Sequence, residues 1–258
     1  MYKLEILEEC ESTQEEVKKR LNETSDIAVL SLKQSKGKGS YGREWISDKG
    51  GLYLSFDFPS INTTIPVSIV FSLLVLESIN QYLDIENQNF IKDYMGIIFP
   101  NDLVLEIDNN FYKIGGILVE SLRNKYIIGI GVNVNNHISF YQLEHKAISL
   151  KEFFEKETNL SIDFDVFKIA KIIISKAQDL RYSLNENDYL FSEFLKKLDK
   201  FDFTKKLRNV DVILFMDGKE IVDRFDQLKV DFQNRKIIFY KNRMRKELDF
   251  EKIRRILY

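Results

Sequence analysis

The stretch from Gln34 to Trp45 combines two residue types that suit a loop binding an anion at close range. Within its twelve residues, three glycines alternate with three cations: Gly37, Gly39 and Gly42 with Lys36, Lys38 and Arg43. Glycine permits a positive φ and a close backbone approach to a ligand, and successive N–H groups in such a loop can form an anion-binding nest. The stretch matches neither Gly-x-Gly-x-x-Gly nor a terminal Gly-Lys-Ser/Thr. By itself it predicts either an anion-binding loop or a solvated basic turn.

Two further segments place polar groups inside otherwise apolar strands. Lys113 enters the apolar sequence that runs to Glu120, and two adjacent glycines follow it at 115 and 116. A buried lysine is costly unless it meets an anion, so Lys113 indicates an anionic ligand. Asn133 follows the strand sequence Gly129–Val132, and glycine within a strand often marks a close approach. Asn133 is either a ligand contact or a structural amide that bonds to the backbone.

The composition limits the classes of function. The chain has 258 residues and a net charge of −2, which disfavours a general nucleic-acid-binding protein. Its single cysteine, Cys10, cannot form an internal disulfide, and with His137 and His145 it cannot supply an ordinary zinc site. We predict neither a signal peptide nor a membrane span, because the chain lacks a basic leader with a long apolar run and an uncharged stretch of about 18 apolar residues. A cytoplasmic protein is therefore expected.

Periodicity predicts the elements that must position these groups. A strand over residues 2–7 precedes a helix that Ser12 caps, with Glu15 completing a capping box. The apolar pattern from Pro66 to Leu83 predicts a long buried helix. Asp108-Asn109-Asn110 predicts a tight hairpin turn. The other strands before residue 150 are predicted at 27–32, 51–58, 97–99, 103–107, 111–120 and 126–134.

Beyond residue 149 the pattern becomes helical and then changes again. Helices are predicted at 150–157, 164–184 and 188–198. Four short strands are predicted at 210–215, 220–225, 228–232 and 236–240. The pair Asp217-Gly218 predicts a hairpin turn between the first two of them. We therefore predict two domains that pack together, residues 1–202 and a small β domain over residues 203–258.

The last part of the chain is basic. It is either a solvated face or a docking surface for an acidic protein partner. The cations of this part are Arg235, Lys236, Lys241, Arg243, Arg245, Lys246, Lys252, Arg254 and Arg255.

Five motifs, in this order along the chain, resemble those of the biotin–protein ligase family. The glycine loop stands for that family's Gly-Arg-Gly-Arg-x-Gly-Arg-x-Trp, and Gln34 precedes it as in the family. Ser-Thr-Asn corresponds to Ser12-Thr13-Gln14, Lys-Trp-Pro-Asn-Asp to Ile98-Phe99-Pro100-Asn101-Asp102, Lys-x-x-Gly-Ile-Leu to Lys113–Leu118, and Gly-x-Gly-x-Asn to Gly129–Asn133. The resemblance covers essentially residues 1–200. It implies the monofunctional form without an N-terminal helix-turn-helix domain, and hence no operator binding.

The resemblance implies an activity in two steps. Such ligases join the carboxylate of biotin to ATP, which gives biotinyl-AMP and pyrophosphate. They then transfer biotin to one lysine of a biotin carboxyl carrier domain. The implied ligands are biotin and ATP, with Mg²⁺ accompanying the nucleotide. Neither nucleic acid nor a membrane is an implied partner, and the protein is expected to be a monomer or a homodimer.

The resemblance also assigns residues by their positions in the motifs. Lys113, Asp102 and Arg43 are implied to be catalytic, with Lys113 between the biotin carboxylate and the α-phosphate and Asp102 beside the acceptor lysine. The implied biotin-binding residues are Ser12, Thr13, Gln14, Gln34, Gly37, Lys38, Gly39, Ser40, Lys113, Gly115, Gly116, Leu118, Gly129 and Val132. The implied nucleotide-binding residues are Lys38, Arg43, Trp45, Asn101, Lys113 and Asn133. No metal ligand is implied.

Two departures from the family pattern matter, one in the glycine loop and one in Lys-Trp-Pro-Asn-Asp. Ser40 replaces the second arginine of the glycine loop, and Ile98 and Phe99 replace the lysine and tryptophan of Lys-Trp-Pro-Asn-Asp. Losing a charge-assisted hydrogen bond typically costs about 1.5–3 kcal/mol. The departures therefore predict slower ligation, easier release of the adenylate or compensation from elsewhere in the chain. A biotin-binding module that does not ligate is an alternative.

A second alternative is a lipoate or octanoate transferase, which shares the implied fold. The chain lacks an Arg-Arg-x-Ser-Gly-Gly-Gly-Ala run and a His-His pair, since its two histidines lie eight positions apart. The fold that we predict is α+β: a mixed β-sheet with helices packed mainly on one face, as in biotin and lipoate ligases, plus a small C-terminal SH3-like β domain. The sheet topology is implied by the resemblance, whereas periodicity predicts only its elements.

Overall fold

A computed structural model of the chain describes residues 1–21, 26–61, 63, 65–138, 146–183, 189–216 and 218–258, and only the backbone of residues 189–193 and 195. Its helices are α1 (Thr13–Arg20), α2 (Val67–Ile85), α3 (Leu150–Thr158), α4 (Val166–Ser183) and α5 (Tyr189–Phe201). Its strands are β1 (Lys3–Leu7), β2 (Ile27–Ser31), β3 (Leu52–Pro59), β4 (Met95–Ile98), β5 (Asp102–Ile107), β6 (Asn110–Leu122), β7 (Lys125–Val132), β8 (Arg208–Met216), β9 (Lys219–Asp231), β10 (Lys236–Lys241), β11 (Met244–Asp249) and β12 (Ile253–Leu257).

The first seven strands form one mixed sheet in the order β1-β2-β3-β7-β6-β5-β4. Strands β1 and β2 are parallel, and every other neighbouring pair is antiparallel. Helices α2 and α4 belong to the main hydrophobic core on one face of the sheet. The short helix α1 lies on the other face, where Val17 packs with Ile27, Val29 and Ile127. This arrangement confirms the predicted α+β class with helices mainly on one face.

Helix α2 is the central element of the core. Among the described residues it is the one helix that is long and apolar enough to cross a membrane by length and composition. Within the protein, 67% of its apolar stretch is buried. Its buried side chains contact those of the central strands, and Phe71 meets Phe56 and Phe58 edge to face. Burial within the protein accounts for the apolar character of α2.

The last five strands form a separate antiparallel sheet in the order β11-β10-β9-β8-β12. The two strands predicted at 220–225 and 228–232 are wrong as separate elements, because β9 continues through both of them. Strands β11 and β12 were not predicted, since charged residues interrupt their apolar alternation. The small C-terminal β domain itself is confirmed.

The predicted turns depend on residues that accept a positive φ. Asp108 and Asn109 have φ values of 49° and 58° between β5 and β6, which is the geometry of a tight hairpin turn. Gly218 has a φ of 77° between β8 and β9, while Asp217 lies outside the described residues.

The predicted capping box at the start of α1 is wrong. Ser12 is the N-cap residue, but its side chain makes no capping hydrogen bond. Glu15 pairs instead with Lys18 and Lys38, at 2.8 Å and 2.6 Å between nitrogen and oxygen. The Ser12 side chain therefore does not cap α1.

A buried ion pair connects three strands on the α1 face of the sheet. The Asp57 side chain is fully buried, and its Oδ2 lies 2.6 Å from Lys125 Nζ. Its Oδ1 accepts a hydrogen bond of 2.8 Å from the backbone N–H of Ile27. Removing one partner of a buried pair is costly because the other charge stays buried without compensation.

We expect Lys125→Met to lower the free energy of unfolding by about 3 kcal/mol, since the carboxylate of Asp57 then lacks its cation. The matched control is Lys151→Met. Lys151 also pairs at 2.8 Å, but with an Asp163 side chain that is 76% exposed, and an exposed pair contributes about 0–1 kcal/mol. Urea denaturation of both variants measures the difference. Equal losses in the two variants would contradict the structural role assigned to the Asp57 pair.

Candidate active site

A cavity with a volume of about 210 Å³ lies on the α1 face of the large sheet. Its floor is formed where neighbouring strands lack large side chains. Gly116 of β6 lies opposite Gly131 of β7, and Gly129 of β7 lies between Leu118 and Ser55 of the adjacent strands. Because glycine has no Cβ, a ligand can lie directly against these strands.

The glycine loop folds over this floor as a small hairpin. The N–H of Trp45 donates to the carbonyl of Gly37 at 2.9 Å, and the N–H of Gly39 donates to the carbonyl of Arg43 at 2.8 Å. At the tip, Tyr41 and Gly42 have positive φ values. The indole of Trp45 then lies on Gly131, where a Cβ would come within 2.6 Å of the ring. Close packing on Gly131 thus fixes the position of the only tryptophan of the chain.

Lys113 reaches the cavity because of a β-bulge. The pairing of β6 with β5 shifts by one residue at Ile114, so Lys113 and Gly116 both line the cavity. In a regular strand, residues three positions apart would face opposite sides of the sheet. Lys113 Nζ lies 2.5 Å from Asp102 Oδ1, and the two side chains are 16% and 9% exposed. The same ammonium lies 5.4 Å from the centre of the Trp45 ring.

A network of hydrogen bonds fixes the polar side chains at the α1 end of the cavity. Gln34 Oε1 accepts from the backbone N–H and the hydroxyl of Thr13, at 2.8 Å and 3.1 Å. The Thr13 hydroxyl also lies 2.8 Å from Ser55 Oγ. Gln34 Nε2 donates to Ser47 Oγ at 2.8 Å, and that hydroxyl donates to the carbonyl of Trp45. The network therefore connects α1 to the base of the glycine loop.

Three buried polar atoms of the cavity walls have no hydrogen-bond partner among the described residues: Ser12 Oγ, Gln14 Oε1 and Trp45 Nε1. The other end of the Gln14 amide is held, since its Nε2 donates to Glu120 Oε2 at 2.8 Å. Buried polar atoms are nearly always paired in folded proteins. This set therefore indicates a ligand that offers both hydrogen-bond donors and acceptors.

Two asparagines line the side of the cavity beyond Lys113. Asn101 Nδ2 donates to Ser40 Oγ at 3.2 Å and to the carbonyl of Ile117 at 3.0 Å. Asn133 is buried, and its Oδ1 accepts from Asn136 Nδ2 at 3.2 Å. The Asn133 amide is therefore anchored by another side chain, and because it also lines the cavity, its contact with a ligand stays a prediction.

The C-terminal β domain contributes three side chains at or beside this site. Arg255 of β12 lines the cavity. The guanidinium carbon of Arg254 lies 4.8 Å from the ring centre of Tyr41 in the glycine loop and 4.2 Å from that of Phe215. The hydroxyl of Tyr258 donates to Asp102 Oδ2 at 3.1 Å. The two sheets therefore meet at the cavity and at Asp102.

Most of the residues predicted to bind ligands line this one cavity. These are Ser12, Thr13, Gln14, Gln34, Lys38, Gly39, Ser40, Arg43, Trp45, Asn101, Lys113, Gly116, Leu118, Gly129 and Asn133. Asp102 does not line it but contacts Lys113. Gly37, Gly115 and Val132 do not line it either. Gly37 packs against the Trp45 carbonyl, while Gly115 and Val132 pair on the opposite, core side of the strands.

The two departures from the family motifs occupy different environments. Ser40 lines the cavity, where its hydroxyl accepts a hydrogen bond from Asn101. Ile98 is fully buried within the hydrophobic core at the end of β4. An apolar side chain at position 98 therefore suits this chain, because a lysine there would require desolvation of its charge.

Sequence patterns missed Ser55, Arg255 and Tyr258. Ser55 left a signal, since it is a polar residue within the apolar strand β3, whose burial is nearly complete. Arg255 is one of nine cations in the basic C-terminal run, and nothing local distinguishes it from the others. Tyr258 follows β12 and reaches Asp102 only through the packing of the two sheets.

The described residues contain no group of three or more His, Cys, Asp and Glu side chains able to hold a metal ion. Cys10 is partly buried, and burial raises the pKa of its thiol. His145 lies outside the described residues. His137 is exposed, and its Nδ1 lies 3.9 Å from Glu152 Oε1.

Known proteins of the same fold contain this arrangement of two sheets. The chain is similar in structure to biotin protein ligase from Aquifex aeolicus in complex with biotin and ATP, with a TM-score of 0.72, 22% identity and 98% of each chain covered. It is similar to biotin protein ligase from Leishmania major in complex with biotinyl-5-AMP, with a TM-score of 0.62, 20% identity and coverage of 88% of this chain and 98% of the other. At these identities the likeness shows the fold.

A third similar structure is biotin acetyl coenzyme A carboxylase synthetase from Helicobacter pylori with bound biotinylated ATP. Its TM-score is 0.58 and its identity 18%, with 96% of this chain and 100% of the other covered. Independently, the sequence model of the biotin/lipoate A/B protein ligase family matches residues 7–135, which is half of the chain. The chain therefore belongs to the biotin/lipoate A/B protein ligase family, as its motifs predicted.

Proposed function

We propose that the protein is an ATP-dependent ligase that activates biotin to biotinyl-AMP and transfers biotin to a lysine of a biotin carboxyl carrier domain. The observation that carries this proposal is the Lys113–Asp102 pair, which lies beside a cavity with three buried polar atoms that have no partner among the described residues. Solved structures of similar fold contain biotin with ATP or biotinyl-5-AMP. The family also includes lipoate ligases, so the choice of biotin depends on the chemistry of the cavity.

The α1 end of the cavity suits the ureido group of biotin, which has two N–H donors and one carbonyl acceptor. Gln14 Oε1 is a buried acceptor without a partner among the described residues, and Ser12 Oγ can donate to a carbonyl. Thr13 and Gln34 fix the adjacent wall through their mutual hydrogen bonds. The 1,2-dithiolane ring of lipoate offers no N–H group, and it would leave Gln14 Oε1 unpaired. Such a mismatch is expensive in a buried site.

In the first step, the biotin carboxylate attacks the α-phosphorus of ATP and pyrophosphate leaves. Two anions must approach each other, so fixed cations stabilise the transition state. Lys113 is proposed to lie between the two reacting groups. Lys38, Arg43 and Arg255 line the same cavity, and we assign them to the phosphates. Arg255 supplies positive charge from the C-terminal domain, which offsets the serine at position 40.

In the second step, the amine of the acceptor lysine attacks the carbonyl carbon of the adenylate and AMP leaves. A free lysine has a pKa of about 10.4 and must lose a proton before it attacks. Asp102 is proposed to orient the incoming ammonium and accept that proton. Trp45 and the glycine loop cover the cavity and are proposed to exclude water from the adenylate.

Mg²⁺ is proposed to accompany the phosphates of ATP. Among the described residues, no group of three or more His, Cys, Asp and Glu side chains could hold a metal ion by itself. The ion would therefore bind together with the phosphates. The cavity instead carries lysine and arginine side chains that suit the phosphates directly. Bound Mg²⁺ would supply additional neutralisation of phosphate charge.

Replacing Lys113 tests the proposed function. We expect Lys113→Ala to reduce the transfer of radiolabelled biotin to a carrier domain by roughly a hundred- to a thousandfold, because the central cation is lost. The matched control is Lys146→Ala. Lys146 is a nearby lysine that bonds to Asn110 Oδ1 and lies over the ring of Tyr112, and its loss is expected to leave transfer unchanged.

The same assay with the unchanged protein separates the alternatives. Biotin transfer to a carrier lysine supports the ligase. Lipoate transfer to a lipoyl domain, without biotin transfer, would replace the proposed substrate. Binding of biotin in a calorimeter without any labelled product would show a binding module.

Replacing Asp102 separates the two steps. We expect Asp102→Asn to retain biotin-dependent ATP–pyrophosphate exchange within about tenfold, because Lys113 remains at the site. Transfer from isolated biotinyl-AMP to the carrier is expected to fall by about a hundredfold, because the amide cannot accept the lysine proton. Equal losses in both measurements would assign Asp102 to the first step or to the fold.

Fluorescence of Trp45 tests the packing over the cavity. A Cβ at position 131 would come within 2.6 Å of the indole, whereas a Cβ at position 116 would come no closer than 3.5 Å to it. We therefore expect Gly131→Ala to change the emission of the ligand-free protein and Gly116→Ala to leave it unchanged. Both are expected to weaken binding of biotinyl-AMP by at least about tenfold, since each fills ligand space. An emission spectrum of Gly131→Ala identical to that of the unchanged protein would contradict the position of Trp45.

A further inference from the structure

The carboxylate of Asp102 is held at both of its oxygens. Oδ1 lies 2.5 Å from Lys113 Nζ, and Oδ2 accepts a hydrogen bond of 3.1 Å from the hydroxyl of Tyr258. The first partner comes from the same sheet, whereas Tyr258 follows β12 of the C-terminal domain. A carboxylate with two fixed partners has little rotational freedom, so its orientation is determined by both domains.

The ring of Tyr258 is fixed by its surroundings. It packs edge to face against Phe111 of β6, with ring centres 6.3 Å apart and planes at 87°. The preceding strand β12 pairs with β8, which holds the backbone before Tyr258. Burial of the phenol, together with the nearby charge of Asp102, raises the pKa of Tyr258 well above its usual range. The hydroxyl therefore keeps its proton at neutral pH and acts as a donor.

Two other buried tyrosine hydroxyls have a different kind of partner. Tyr2 donates to the backbone carbonyl of Asp57 at 2.6 Å, and Tyr53 donates to that of Asp48 at 2.6 Å. The first bond connects the residue before β1 to β3, and the second connects β3 to the loop that precedes it. The hydroxyl of Tyr258 instead meets a carboxylate that is already paired with the lysine of the cavity.

We propose that Tyr258 is a positioning residue for the transfer step: its hydroxyl holds Asp102 in the orientation that receives the acceptor lysine. This inference rests on the proposed ligase function and adds a residue from the C-terminal domain to it. Sequence motifs do not mark Tyr258, because its role depends on contact between two sheets. The other side chains of that domain near the site, Arg254 and Arg255, contact the glycine loop and line the cavity.

The proton and electron balance of the step leaves Tyr258 unchanged. The acceptor ammonium gives a proton to Asp102, and its nitrogen forms a bond to the carbonyl carbon of the adenylate. The bond from that carbon to the phosphate oxygen breaks, AMP leaves with the electron pair, and the nitrogen gives its second proton to the phosphate of AMP or to water. Asp102 then returns its proton to water. Tyr258 donates one hydrogen bond throughout and transfers no proton.

The test is Tyr258→Phe, which removes the hydroxyl and keeps the ring that packs on Phe111. We expect the rate constant of transfer from isolated biotinyl-AMP to fall by roughly ten- to a hundredfold, as for the loss of a hydrogen bond to a charged group. Biotin-dependent ATP–pyrophosphate exchange is expected to stay within about twofold of the unchanged protein, and so is the KM for the carrier. A purely structural role would not separate the two steps.

Two further variants sharpen the test. Tyr2→Phe also removes a buried tyrosine hydroxyl bond, but far along the chain from Asp102, and it is expected to leave both rates unchanged. The double variant Asp102→Asn with Tyr258→Phe is expected to transfer biotin no more slowly than Asp102→Asn alone, because Tyr258 acts through Asp102. Thermal unfolding of each variant measures how far the fold is affected.

Each outcome decides the inference. Transfer at the unchanged rate in Tyr258→Phe, an equal loss in both half-reactions, or a further loss in the double variant overturns it while the ligase assignment stands. Failure of the unchanged protein to label the carrier overturns the proposed function, and the role of Tyr258 falls with it. Selective loss of transfer in Tyr258→Phe supports the inference when Tyr2→Phe shows no loss and the double variant shows no loss beyond that of Asp102→Asn.

Discussion

The ion pair between Lys113 and Asp102 is the interaction on which the rest of the site depends. Both side chains are largely withdrawn from water, and such a pair is tolerated only where its geometry is good and further hydrogen bonds are present. A bulge at Ile114 turns Lys113 toward Asp102, and Tyr258 bonds to the second carboxylate oxygen. Trp45 covers the lysine. These elements together keep two opposite charges available for chemistry inside a folded core.

The cavity exists because side chains are missing from one face of a sheet whose other face is densely packed. On the core side, Phe56, Phe58 and Phe71 stack edge to face. On the α1 side, Gly116 and Gly131 stand opposite each other. A strand needs a packed face to be stable, so the glycines can open one face only because the other supplies the hydrophobic burial.

The second sheet completes the site as well as the fold. Strand β12 brings Arg254 against Tyr41 at the tip of the glycine loop and Arg255 to the cavity. Backbone hydrogen bonds of the glycine loop join Gly37 to Trp45 and Gly39 to Arg43, and its tip at Tyr41 also contacts Arg254 of the second sheet. Contact between the two domains therefore contributes to the position of the loop.

Local sequence determined much of this protein. The alternation of glycine and cations predicted the loop that covers the cavity, because Gly42 accepts a positive φ at its tip and Gly37 allows a close backbone contact. The tolerance of Asp and Asn for a positive φ likewise predicted the hairpin turn at Asp108 and Asn109. The long apolar pattern gave helix α2, because a helix of that composition requires burial. Family motifs predicted functional roles for Lys113 and Asp102 but not the contact between them.

Tertiary structure decided what no local pattern encodes. Ser12 matched a capping box, but its hydroxyl makes no capping bond, and the Glu15 carboxylate pairs with two lysines, of which one belongs to the glycine loop. Nine cations in the C-terminal run were equivalent by sequence, and only the pairing of β12 with β8 brings Arg255 to the cavity. Contacts between residues distant in sequence depend on how whole sheets pack, and that packing is a property of the complete chain.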